Sequence, residues 1–241
     1  TLDPTRISRL GADGDLTWFA GCPQDPCELP PGAETGARQT TLGLASALGV
    51  DAEDRLWVAD AEKTALWRFT PAGEALLMVQ GVGPRLDHDA PVDASTIVMH
   101  TNCLSVSLSG EVYLLDAETS TDGAQVVRLR CGESLSGAAC EAQRTWTFSH
   151  SGPGHGVPTC LAVTREAGAA EDVLYVTEGG GIWRGNAEGA SREQVAVFHG
   201  GESPYPTPSA STRLADPWDI ASVGASAYVV ADRFRGVLVL E

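Results

Sequence analysis

Apolar and polar positions alternate through "RLWVADAEKTALWRFTPAGEALLMVQG" (55–81), and each apolar run of about five residues stops at an acid, a Gly or a Pro-Gly turn. A period of two over five residues is the mark of a strand with one or both faces buried. The pattern predicts strands near 47–51, 56–60, 65–69 and 74–80, joined by tight turns. No stretch carries an apolar period of 3.6 residues, so helix should be minor.

The same punctuation returns along the chain. An apolar strand ends in an acid at "TLD" (Asp3), "LWVAD" (Asp60), "VYLLD" (Asp116), "LYVTE" (Glu178) and "AYVVAD" (Asp232), with the acids 54 to 62 residues apart. A short strand follows each: "RISRL", "ALWRF", "VVRLR", "GIWRG" and "GVLVLE". Four of them carry Arg at the matching place (Arg9, Arg68, Arg128 and Arg184). Further strands complete the unit on either side, such as "EALLMVQG" (74–81) after it and "CLSVSL" (103–108) before it. Four strands per unit is the pattern of a propeller blade, which cannot cover both faces alone and stacks against its neighbours. The acid is expected to accept N–H bonds in the turn after the second strand, and the Arg to pair with a neighbouring blade. Trp18, Trp57, Trp67, Trp146 and Trp183 are expected in the core between blades.

The unit "GVDAEDRLWVADAEKTALWRFTPAGEALL" resembles the NHL-repeat β-propeller family, and "RISRLGADGDLTWFAG" (6–21) matches the end of such a unit. The inter-blade segments recur as "ARQTTLGLAS" (37–46), "DASTIVMH" (93–100) and "SASTRLADP" (209–217). The resemblance implies an all-β propeller of four-stranded antiparallel blades. It divides the chain into a partial blade at 1–21 and blades at about 44–81, 100–150, 157–200 and 214–241. The strand count does not close, so a single domain incomplete at its N-terminus is expected, with six blades in the whole ring and five as the alternative. The family includes binding platforms, lyases and hydrolases, so the resemblance speaks to fold before function.

Charge and cysteine content narrow the partners. With 32 acids against 16 bases, 15 of them Arg, the chain carries a net charge of −16 and repels phosphate backbones, which argues against nucleic acid. Arg in place of Lys and abundant Ala suit a bacterial, GC-rich coding sequence. No apolar run approaches the ~18 residues of a membrane span, and a mature chain or excised domain is expected. The six cysteines lie partly in close pairs within Pro/Gly/Ser-rich segments, which favours disulfides and a secreted, periplasmic or cell-surface location. Cys22–Cys27 and Cys131–Cys140 are expected as local bridges. Cys103 and Cys160 hold equivalent inner-strand places and form either a third bridge or two buried thiols. Neither "CPQDPC" nor "CGESLSGAAC" has zinc-ligand spacing.

Candidate chemistry gathers in the loops leading into the innermost strands: "VMHTNC" with His100 and Asn102, "GPGHGVPTC" with His155, "FHGGESPYP" with Tyr205, and "ADPWD" with Trp218 and Asp219. These residues should converge at one mouth of the central channel. The favoured reading is a binding or scaffold propeller for a protein, peptide or glycan, with Trp218 and Tyr205 as anchors and no cofactor. The alternative is a metal-dependent lyase or lactonase-type hydrolase. It would hold a metal through His100 and His155, with Asp219 or Asn102 completing the set, and the resemblance suggests zinc or calcium.

Overall fold

The computed structural model describes residues 5–22, 36–117, 123–132, 140–148, 158–165, 172–178, 181–186, 192–197, 217–223, 227–232 and 236–240. The chain forms β1 (Ile7–Leu10) and β2 (Leu16–Ala20), which pair with each other, followed by a four-stranded meander of β3 (Ala45–Val50), β4 (Leu56–Asp60), β5 (Ala65–Phe69) and β6 (Ala75–Gln80). After the short β7 (Val92–Asp93) comes a second meander of β8 (Thr101–Val106), β9 (Val112–Asp116), β10 (Ala124–Cys131) and β11 (Cys140–Phe148). A third consists of β12 (Pro158–Thr164), β13 (Val173–Glu178), β14 (Gly181–Asn186) and β15 (Arg192–Val197). The last sheet holds β16 (Pro217–Val223), β17 (Ala227–Asp232) and β18 (Gly236–Leu240). Every strand pair within these sheets is antiparallel. The four strands expected across 47–80 all form, within two residues of their anticipated ends.

Helix is confined, among the described residues, to two single 3-10 turns at Ala37–Gln39 and Ala94–Thr96. Both fall at the start of the recurring inter-blade segments. None of the described helices is long and apolar enough to cross a membrane.

The continuous apolar runs have a plain cause. In β9, Leu114 packs with Trp57, Leu66 and Val79 of the preceding meander, whereas its chain neighbours Tyr113 and Leu115 pack with Leu161, Leu174 and Ile182 of the next. Alternate side chains therefore enter two different cores, and both must be apolar. A third core sets Ile7 and Ala20 of the first pair of strands against Val58 and Phe69. Trp57 and Trp146 are buried and Trp67 and Trp183 pack partly into these cores, while Trp18 is half-buried.

One turn is used four times. At 11–15, 51–55, 70–74 and 107–111 the first N–H donates to the fifth carbonyl and the fourth N–H donates back to the first carbonyl. This closes a type I turn with a left-handed residue in fourth place. That residue is Gly14, Gly73 or Gly110 in three copies and Asp54, at φ 58°, in the other.

Asp60 acts as expected of the repeated acid, and Asp116 bonds instead to groups outside the turn. The Asp60 carboxylate accepts from Lys63 N in the turn and also from Gly43 N and Leu44 N, which ties the entry of β3 to the end of β4. Asp116, fully buried, accepts from His100 N and Gln125 Nε2 and pairs with Arg85 at 2.8 Å. The arginines also make contacts within their own sheets. Arg68 lies over the Trp57 ring, Arg128 donates to Gln143, and Arg184 donates to Tyr175 and Glu193, all partners in the arginine's own blade.

The second blade holds a fifth strand that periodicity did not show. Cys131 and Cys140 stand directly opposite in the hairpin and are bridged, with Cα atoms 4.1 Å apart. The bridged hairpin extends β11 outward, and β7 pairs with its outer edge at Asp93–Glu141 and Val92–Ala142. Cys22 is also disulfide-bonded, while its expected partner Cys27 lies outside the described residues.

Candidate functional site: the central channel

The first strands of the four meanders pack in succession: β3 on β8, β8 on β12 and β12 on β16. Together they wall a solvent-open channel of about 1040 Å³.

The register of these four strands explains which side chains meet there. β3, β8, β12 and β16 each pair with their own second strand through a bulge next to their first residue, opposite the repeated acid: Ala45 with Asp60, Thr101 with Asp116, Pro158 with Glu178, and Pro217 with Asp232. A bulge inserts one extra residue and re-aims the side chains beside it. The bulged residues are Ser46, Asn102, Thr159 and Trp218, and the next place in the four strands is held by Ala47, Cys103, Cys160 and Asp219. Both layers thus bring equivalent residues from successive blades to one level of the channel.

Cys103 and Cys160 are joined by a disulfide across neighbouring inner strands, with Cα atoms 5.1 Å apart. That lies inside the separation of about 7 Å beyond which a bridge cannot form. The Asp219 carboxylate completes a cluster with the two sulfurs, all three ligand atoms lying within 4.8 Å of one another. Desolvation in the channel wall raises the pKa of Asp219 above the ordinary carboxylate value, and the Ile220 N–H, at 2.8 Å from Oδ1, offsets part of the rise.

The site residues named from sequence divide into three sets. Asn102 and Asp219 line the channel. Asn102 is exposed, and its amide donates to the Ala117 carbonyl at 3.2 Å. His100 is half-buried just before β8, held by the bond from its N–H to Asp116, and it is not among the channel-lining residues. The backbone of Trp218 occupies the bulge of β16. His155 and Tyr205 lie outside the described residues.

Sequence reasoning passed over Ser46, Leu48, Val50, Ser105 and Thr159, which complete much of the wall. It also separated Asp219 from the two cysteines. A signal was present: Ala47, Cys103 and Asp219 each stand thirteen residues before the repeated acid. Cys160 breaks the count, because the hairpin between β12 and β13 is longer.

No protein-family model and no curated protein matches the sequence. Solved structures do. A gluconolactonase from Xanthomonas campestris overlays with a TM-score of 0.54 at 16% identity, over 99% of this chain and 69% of that one. An auxiliary nutrient binding protein from Bacteroides thetaiotaomicron gives 0.54 at 11% identity, over 84% of this chain and 49% of that one. These are β-propeller proteins. The fold is that of a β-propeller. Virginiamycin B lyase from Staphylococcus aureus overlays at 0.49 with 16% identity, over 98% of this chain and 58% of that one. The chain therefore spans between about half and two thirds of the length of these propellers, and at such identities the likeness concerns fold alone.

Proposed function

We propose that this chain is an extracytoplasmic binding propeller of the NHL type that recognises a protein, peptide or glycan at its channel mouth. The observation that carries this reading is the chemistry of the wall. With Cys103 and Cys160 bridged, Asp219 is the one titratable side chain among the described lining residues. The remainder are neutral hydrogen-bonding groups (Ser46, Asn102, Ser105 and Thr159) interleaved with Leu48, Val50 and other small or aliphatic residues. Such a surface selects a ligand by hydrogen bonds and apolar contact. The bridge between inner strands holds the wall in shape, and a preorganised surface loses less free energy on binding. Two bridged cysteine pairs support an oxidising compartment.

Glycan and peptide arrays probed with the oxidised protein test the reading. A retained ligand whose affinity falls about tenfold or more in Asn102→Ala and in Trp218→Ala is the expected result. Turnover of lactones that requires added zinc or calcium, and that is lost in His100→Ala, His155→Ala or Asp219→Asn, would replace it with the metal-dependent hydrolase.

A further inference from the structure

We propose that the channel wall contains a redox-gated site for a thiophilic divalent cation such as Zn²⁺, formed by Cys103, Cys160 and Asp219 when their disulfide is open. The inference rests on the geometry of the wall and is independent of which ligand the mouth recognises.

Three successive inner strands present these side chains from one equivalent position, so a single level of the channel receives two sulfurs and a carboxylate. Their ligand atoms already lie within 4.8 Å of one another. Tetrahedral zinc, with bonds of about 2.3 Å to sulfur and about 2.1 Å to oxygen, sets its ligands roughly 3.5–4 Å apart. Side-chain rotation is enough to part the sulfurs to that distance from Cα atoms 5.1 Å apart. The fourth strand places Ala47 at the same level, a side chain too short to occupy the remaining coordination position. That position opens to the channel, as in zinc sites that keep three protein ligands and one exchangeable one. The chain's net charge of −16 raises the local concentration of cations.

The disulfide is the gate. Bridged sulfurs are neutral and poor donors, so the oxidised wall offers one carboxylate and does not hold the ion. A dithiol reductant opens the bridge by exchange through a mixed disulfide. Two electrons and two protons pass to Cys103 and Cys160, and the reductant leaves as its own disulfide. The metal then displaces both thiol protons. Two thiolates, one carboxylate and the divalent ion leave a complex of charge −1.

The test uses the whole chain with Cys22, Cys27, Cys131 and Cys140 changed to Ser, so that only the channel pair remains, with folding checked by far-UV circular dichroism. The protein is reduced with a phosphine and titrated anaerobically with Cd²⁺, followed by thiolate-to-cadmium absorption, and with Zn²⁺ against a chromophoric chelator. One ion per chain is expected after reduction and none before it. Asp219→Asn should weaken binding by about tenfold or more. If the four-serine variant does not fold, the reduced parent is compared with Cys103→Ser/Cys160→Ser, and the parent should take up one ion more. No stoichiometric uptake on reduction, equal uptake by the oxidised chain, or undiminished affinity in Asp219→Asn would overturn the proposal.

Discussion

β3 and β8 are the same strand written twice. Each begins opposite an acid, passes through a bulge, and then sets a leucine against the second strand: Leu48 opposite Val58, and Leu104 opposite Leu114. Yet Leu48 is 52% exposed and Leu104 is 5% exposed. Leu104 faces the preceding meander, where Gly49 makes room for it; a Cβ on Gly49 would lie 2.3 Å from Leu104 Cδ2. Leu48 lines the channel, whereas Val58 and Phe69 of the same sheet pack with Ile7 and Ala20 of β1 and β2. Similar local patterns thus end in opposite environments, one at the channel and one in the core between two meanders.

Removing the cross-link between β8 and β12 should have the largest effect. The Cys103–Cys160 bridge closes a separation of 57 residues, and replacing both cysteines with Ser should cost roughly 4 kcal/mol in urea unfolding of the oxidised protein. The Cys131–Cys140 bridge spans 9 residues and should cost about 2–3 kcal/mol. Equal costs would show that loop closure is not what separates the two.

The leucine pair tests the comparison directly. Leu104→Ala should destabilise by about 3 kcal/mol through the cavity it leaves. Leu48→Ala should stay within about 0.5 kcal/mol. A matching loss at Leu48 would mean that the face of β3 is covered after all.

Two carboxylates near these strands should respond to pH with opposite sign. Burial opposes the charge on Asp51, but hydrogen bonds from Trp57 and from the backbone and side chain of Arg55, with the Arg55 charge, hold its pKa below the ordinary value. Its contribution is present above the unfolded-state pKa and is lost as pH falls through the folded one. The raised pKa of Asp219 works the other way: its contribution is full below the unfolded-state pKa and is lost as pH rises through the folded one. Melting temperatures measured from about pH 3 to 7 should show a smaller gain toward neutrality in Asp51→Asn and a larger one in Asp219→Asn. The same sign in both variants would contradict the assignment.

The smallest effect belongs to the repeated turn. Asp54 holds the left-handed position that Gly110 fills in the equivalent turn before β9. Asp54→Gly should raise stability by about 0.5 kcal/mol, since relief of the left-handed strain slightly exceeds the added chain entropy. A loss of stability would show that the carboxyl contributes more to the turn than its backbone conformation costs.

What the sequence determined by itself is local. Alternation with a period of two set the strands, the Gly and Pro-Gly breaks set the turns, and the recurring acid marked each blade, because all of these act over a few residues. The Cys131–Cys140 bridge was legible for the same reason, since a short hairpin leaves its ends no other separation. Tertiary structure decided everything that passes from blade to blade. It made Asp219 the third member of a level shared with Cys103 and Cys160, drew β7 onto the edge of β11, and buried Leu104 while leaving Leu48 open. The physical reason is sequence distance: Cys103 and Cys160 are 57 residues apart, and at that range only the stacking of whole sheets determines which side chains meet.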